Sequence, residues 1–156
     1  MARFADIAHK KLDDIERPPL APVGNYIFEV INDPQPVLKQ TANGEFEVVD
    51  FQLRGLQAMD DVDTAELEVF GGAKGVIVRK GFIFNTDPAE EANFKRTEYE
   101  MKTFLEEHLQ ITEAEELTQA MAMAKGRTCI GEVGHRPDKE NPDRIYLDLK
   151  KTMPVD

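Results

Sequence analysis

The reading of the fold turns on residues 24–56, GNYIFEVINDPQPVLKQTANGEFEVVDFQLRGL. At its start Tyr26, Phe28 and Val30 fall on one side and Ile27, Glu29 and Ile31 on the other, the period of two expected of a strand. NDPQP interrupts the pattern. Two prolines there demand a bend or bulge, because each removes a ladder donor. VLKQT then resumes the same strand. Asn43-Gly44 predicts a type I′ hairpin turn, which needs positive φ at both central residues. EFEVVDFQLRGL is the returning strand.

Working outward, residues 3–15 place Phe4, Ile7, Ala8, Leu12 and Ile15 at helical spacing. They predict an amphipathic helix, or an arm that docks as one. ERPPLAPVG cannot continue a helix and reads as a connector. Residues 1–21 are therefore an arm and connector, and 22–156 the main domain. Downstream, MDDVDTAELEVF reads as a long acidic loop with room for an edge strand, closed by Gly71-Gly72. Residues 75–85, GVIVRKGFIFN, form the next strand. Asp87-Pro88 opens a helix, Asp as N-cap and Pro at the first position. Its apolar stripe is Phe94, Met101, Leu105 and Leu109, bordered by Phe104 and His108. Thr112 and Glu115 fit a capping box for a second helix with Leu117, Ala120, Met121 and Ala124, ended by Gly126. RTCIGEVGH and RIYLDLK close the chain as a hairpin around the polar loop RPDKENPD.

The order is three strands, helix, two strands. Five strands with a helical segment between the third and fourth is the layout of an OB-type Greek-key barrel. The expected class is therefore mainly β with α, a five-stranded OB-like barrel preceded by a helix or arm. A plain α+β sheet with a helical cover is the alternative.

Composition narrows function. The 156 residues carry a net charge of −11, which argues against a uniformly basic nucleic-acid binder. The excess is uneven: residues 87–116 hold ten acidic and three basic side chains. Cys129 is the single cysteine, so an internal disulfide and a cysteine-rich zinc site are excluded. Its apolar neighbours predict a buried thiol. His9, His108 and His135 have no metal-ligand spacing, and no phosphate-loop or nucleophile-elbow motif occurs. The acidic run Asp60, Asp61, Asp63, Glu66, Glu68 lacks the glycine and closing glutamate of a calcium loop. No enzyme, cofactor or metal is expected. No apolar run approaches the ~18–20 residues that span a bilayer, and the first twenty residues lack a secretory apolar region. The expectation is a cytoplasmic protein with no membrane partner.

Residues 75–87 pose a problem, since Arg79 and Lys80 sit side by side among apolar residues. Strict alternation puts them on opposite faces. A bulge at Lys80-Gly81 would put both outside. Either they are solvated surface charges, or they belong to a groove that follows a nucleic-acid backbone. In an OB-type barrel the second and third strands and their flanking loops form the ligand face. Those elements here carry Lys39, Arg54, Arg79, Lys80, Arg136, Lys139 and Arg144, seven of the 19 basic residues. Single-strand binders combine such cations with aromatic platforms that stack on bases. Phe82 and Tyr146 are the candidate platforms. Phe51 and Phe84 read as core, and Phe46 is open to either role.

The chain resembles bacteriophage single-stranded DNA-binding proteins of the OB type. The resemblance lies in PVGNYIFEVIND, in the NG hairpin into EFEVVDFQLRG, and in AKGRTCIGEVGHRPDKENPDRIYLDLKK. It covers residues 22–151 and is one of pattern. It implies sequence-independent single-stranded DNA binding in phage DNA replication or recombination, in the cytoplasm of the host cell. The acidic tail by which many such proteins recruit partners has no counterpart in KKTMPVD. The acidic 87–116 region is the surface left for replication or recombination proteins, and a homo-oligomer is left open. The competing reading is a phage protein–protein module, an assembly or host-takeover factor, without nucleic-acid binding.

Overall fold

β1 (Gly24–Val30), β2 (Pro36–Thr41) and the 15-residue β3 (Gly44–Ala58) are built from the stretch quoted first. The computed structural model describes residues 3–156, so Met1 and Ala2 of the N-terminal segment lie outside the described residues. β2 pairs with the first part of β3 and β1 with the last part. β4 (Ile77–Asn85) runs along the opposite edge of β3, from Arg54 to Phe46. β1 and β2 thus lie end to end on one edge, the two halves of the single bent strand expected from the sequence. Asn32 ties down the break: its side-chain NH2 donates to the Asp50 carbonyl and its oxygen accepts from the Gln52 amide.

β5 (Thr128–Pro137) pairs with β1, and β6 (Ile145–Met153) with β5. The result is an open antiparallel sheet of six strands, mainly β with several helices. The sixth strand arises because the NDPQP break is wide enough to count β1 and β2 separately. Cα atoms of β4 and β6 come within 8 Å of each other, but no ladder joins them among the described residues.

One face of this sheet is the core. Tyr26, Phe28 and Val30 of β1, Phe51 and Leu53 of β3, and Cys129 of β5 are fully buried. Phe51 meets Phe104 with ring centroids 5.0 Å apart and Phe82 edge-on at 5.8 Å. Burial raises the Cys129 thiol to about 12, so it stays a neutral core group. The helix after Asp87 covers this face. The Asp87 side chain accepts from the Ala89 amide as the N-cap, a 3-10 turn follows, and α3 spans Glu91–Thr103. A π turn over Phe104–His108 extends it, and Met101, Phe104, Leu105 and Leu109 fill the core. The predicted stripe is the one that packs.

Four local expectations are corrected. The hairpin turn is not type I′: positive φ falls on Gly44 (125°) and not on Asn43. The Thr41 hydroxyl holds the turn instead, accepting from the Asn43 amide and bonding the Gly44 carbonyl. The acidic stretch is no loop or edge strand but contains the helix α2 (Thr64–Phe70). Asp63 caps it by accepting from the Glu66 amide, and Gly71 closes it on the Leu67 carbonyl. The second capping box is not Thr112/Glu115 but Glu116/Gln119, and it opens α4 (Leu117–Ala122). Gly126 does not end that helix; it lies in the turn leading into β5, where its amide donates to the Val30 carbonyl.

The N-terminal segment forms only a four-residue turn, α1 (Phe4–Ile7), and a 3-10 turn at Leu12–Asp14. None of its residues is buried in either turn. The connector is anchored: Ala21 is buried, and the Tyr26 hydroxyl donates to the Pro22 carbonyl at 2.6 Å.

The β3–β4 edge needs a glycine at 55. A Cβ there would press into the backbone carbonyl of Ala73, just before β4. Gly55→Ala is expected to destabilise the fold by about 1–3 kcal/mol, the usual cost of overpacking. A urea midpoint lowered at unchanged slope is the confirming result.

Candidate nucleic-acid interface

The outer face of β2, β3 and β4 holds part of the candidate site. β3 alternates from Phe46 to Leu56, where a bulge against β1 ends the pattern, so Phe46, Val48, Asp50, Gln52, Arg54 and Leu56 point away from the core. Register adds their partners. Lys39 of β2 lies opposite Phe46, Arg79 opposite Gln52, and Ile77 opposite Arg54. Lys39, Arg54, Arg79 and Phe46 therefore share one uncovered face. From the level of Phe46 to that of Arg54 the strip runs roughly 27 Å at ~3.4 Å per residue. Arg54 and Arg79 are diagonal neighbours within it. Exposed Leu56, Ile77 and Ile83 give the face an apolar component. Two carboxylates temper its charge. Glu29 of β1 lies opposite Arg54 in register, and Asp50 is 3.9 Å from the Arg79 guanidinium. The latter pair is exposed enough to hold Arg79 only weakly.

Lys80 is not on this face. The β3–β4 register has no bulge, so alternation sends Lys80 inward while Arg79 stays out. The expected bulge at Lys80-Gly81 is corrected accordingly. The Lys80 stem covers the core edge and its ammonium sits 5.7 Å from the Phe82 ring centre and 5.9 Å from that of Phe104. A long aliphatic stem with a cation over π-faces explains how a lysine is tolerated there. Phe82 is also corrected. It is 4% exposed and packed against Phe51 and Phe104, so it offers no free face for a base.

Lys80 shares a cleft of about 540 Å³ with Tyr99 and His108. His108 Nδ1 makes a 2.7 Å hydrogen bond with the Thr152 hydroxyl of β6, bridging the π turn to the last strand. Burial, and then the Lys80 charge, hold the His108 pKa below its ordinary 6.5. The fold thus favours neutral imidazole. That contribution is complete above the unfolded value and is lost as pH falls below it toward the folded value. The thermal midpoint of the wild type is expected to drop from about pH 7.5 to about pH 5.5 by more than that of His108→Asn. Parallel pH profiles for the two proteins would exclude this role.

The β5–β6 hairpin carries the remaining predicted cations at the other end of the sheet. Arg136 faces Tyr146 across the hairpin, and Lys139 and Arg144 lie exposed in its loop. Tyr146 is 41% exposed and its hydroxyl donates to Asp138, so it keeps an accessible ring. The hairpin is tied to the connector through His135, whose Nε2–H donates to the Ala21 carbonyl at 2.7 Å. The seven cations do not converge on one spot. Three line the outer face, three sit on the hairpin, and Lys80 is turned inward. Phe46 was left open by the sequence; the pairing of Lys39 with Phe46, countable outward from the Asn43-Gly44 turn, is the signal that assigns it.

No cluster of three or more His, Cys, Asp or Glu side chains suited to a metal ion occurs among the described residues. No described helix is long and apolar enough to cross a membrane. No family model matches the chain, and no curated protein matches it.

Proposed function

We propose that the protein is a non-enzymatic, sequence-independent single-stranded DNA-binding protein with an OB-like barrel. Three features support the barrel. β1 and β2 share one edge of β3 as a single bent strand would, a helix separates the third and fourth expected strands, and β4 approaches β6. The observation that carries the function is the uncovered outer face bearing Lys39, Arg54 and Arg79 beside Phe46 and exposed aliphatic side chains. Cations set along a strip neutralise successive phosphates, while apolar and aromatic side chains meet the bases. Arg136, Lys139, Arg144 and Tyr146 extend the path onto the hairpin. The net charge of −11 does not oppose this, because its densest part lies in residues 87–116, on the helical side. The resemblance to phage single-strand binders points to a role in viral DNA replication or recombination, with the acidic helices free to meet protein partners.

The test is fluorescence anisotropy with a labelled dT oligonucleotide of about 30 nucleotides, longer than one OB-type site. Salt-sensitive binding that matched duplex cannot compete is the expected result. Absence of binding at low salt would overturn the proposal and leave the protein–protein module as the working reading.

A further inference from the structure

Residues 3–15 present an apolar surface that none of the described residues covers. Phe4 is 76% exposed and Leu12 85%, and Ile7 and Ile15 are half exposed. Phe4 and Ile7 stand three residues apart in α1 and share a face. The same chain carries an open apolar groove. It has a volume of about 420 Å³ and lies where β3 and β4 meet α3 and α4, lined by Val49, Phe84, Phe94, Met101, Leu117 and Met121. Glu47 stands on its rim. An adjoining cleft, reached across Leu117, is bordered by Glu98, Glu115 and Glu116. Residues 3–15 carry Arg3, Lys10 and Lys11 against Asp6, Asp13 and Asp14, so the arm is neutral as a whole and its apolar side chains are what it offers a partner. An exposed apolar turn thus has its complement in an open apolar groove of the same chain.

We propose that the N-terminal arm of one copy docks in the α3–α4 groove of a second copy, so that the protein self-associates by arm exchange. The root of the arm favours a second copy over its own groove. Ala21 is pinned to His135, and the Arg17 guanidinium donates to the Ile145 carbonyl, both at the β5–β6 end of the sheet. The groove begins at Pro34 and Pro36, beyond the far end of β1, which is roughly 20 Å long at ~3.3 Å per residue. Pro18 and Pro19 stiffen the chain between arm and anchor. The arm therefore leaves its domain at the β5–β6 end, and none of Phe4, Ile7, Leu12 and Ile15 is buried or lines its own groove. Reciprocal docking of two arms closes a two-fold dimer. This inference goes beyond nucleic-acid binding and does not rest on it.

The experiment is sedimentation velocity of the full chain without DNA, from about 1 to about 100 µM, a range that captures weak specific contacts. The wild type is expected to pass from monomer to dimer. Phe4→Glu with Leu12→Glu, at positions the fold does not use, should weaken association by about tenfold or more. Leu117→Glu, at a groove residue 41% exposed, should do the same from the other side. Thr118→Arg on the groove wall serves as the second variant should Leu117→Glu misfold by circular dichroism. Mixing the arm variant with a groove variant should restore part of the association, since each supplies the half the other lacks. A wild type that stays monomeric throughout, or variants that associate as tightly as the wild type, would overturn the proposal. The oligonucleotide assay would remain informative in either case, because Lys39, Arg54 and Arg79 lie on the opposite face of the sheet.

Discussion

Phe51→Ala is expected to cost about 3–5 kcal/mol of stability, the range for a large aromatic removed from a packed core. Phe51 is completely buried, in the middle of the longest strand. Its ring is the meeting point of Phe82 from β4 and Phe104 from the π turn, so one truncation loosens the sheet and its helical cover together. Domains of this kind are stable by roughly 5–15 kcal/mol in all, so the variant would stand near the limit of folding. At about 2–4 °C per kcal/mol for a chain of this size, the thermal midpoint should fall by roughly 6–20 °C. Calorimetry reads this directly. A loss below about 1 kcal/mol would mean that the three rings do not form the centre of the core. Phe82→Ala offers a companion test. It should destabilise the protein while leaving the single-strand affinity of the folded fraction unchanged, because Phe82 is a core residue and not a stacking platform.

Arg54→Glu combined with Arg79→Glu should weaken single-stranded DNA binding by about tenfold or more at low salt. The two are diagonal neighbours on the outer face and are the pair best placed to hold adjacent phosphates. Each phosphate contact on a single strand contributes about 0.7 to the slope of log K against log salt, so losing two should flatten that slope by about 1.4. Lys95→Glu, on α3 and off this face, should change neither quantity by a comparable amount. Because both arginines are exposed at a solvated sheet face, the thermal midpoint should move little, which separates lost binding from lost folding. Unchanged affinity and slope in a folded double variant would remove the outer face from the binding site.

Much of the fold was legible because its signals are local. The alternation of Tyr26, Phe28 and Val30 against their neighbours marks β1, and all three are fully buried. Two prolines in five residues mark the break between β1 and β2. Asp87-Pro88 marks the start of the helical cover, and the Phe94-to-Leu109 stripe marks its packed side. Where a local signal was misread, it was present all the same. Asp63 with Glu66 three residues later, followed by Gly71, are the cap and stop of α2, masked by the density of acidic residues around them. The candidate site was legible in type but not in arrangement. Tyr146 is exposed as expected, while Phe82 and Lys80 face the interior.

By itself the sequence determined which segments alternate, where they must bend, and where helices begin. Those depend on residues two to four apart, whose sterics and hydrogen bonds act whatever the rest of the chain does. Only the tertiary structure decided that Arg79 and Lys80 part to opposite faces, because the absence of a bulge is a property of β3 and β4 together. It alone set Arg54 beside Arg79, since side chains on strands not joined by a short turn become neighbours only through register. It also left Phe4 and Leu12 without cover, although their spacing predicts an amphipathic helix. An apolar stripe states that a surface has to be buried; which surface buries it is decided by where the chain is anchored, and here Ala21 and His135 fix that anchor at the far end of the sheet from the groove.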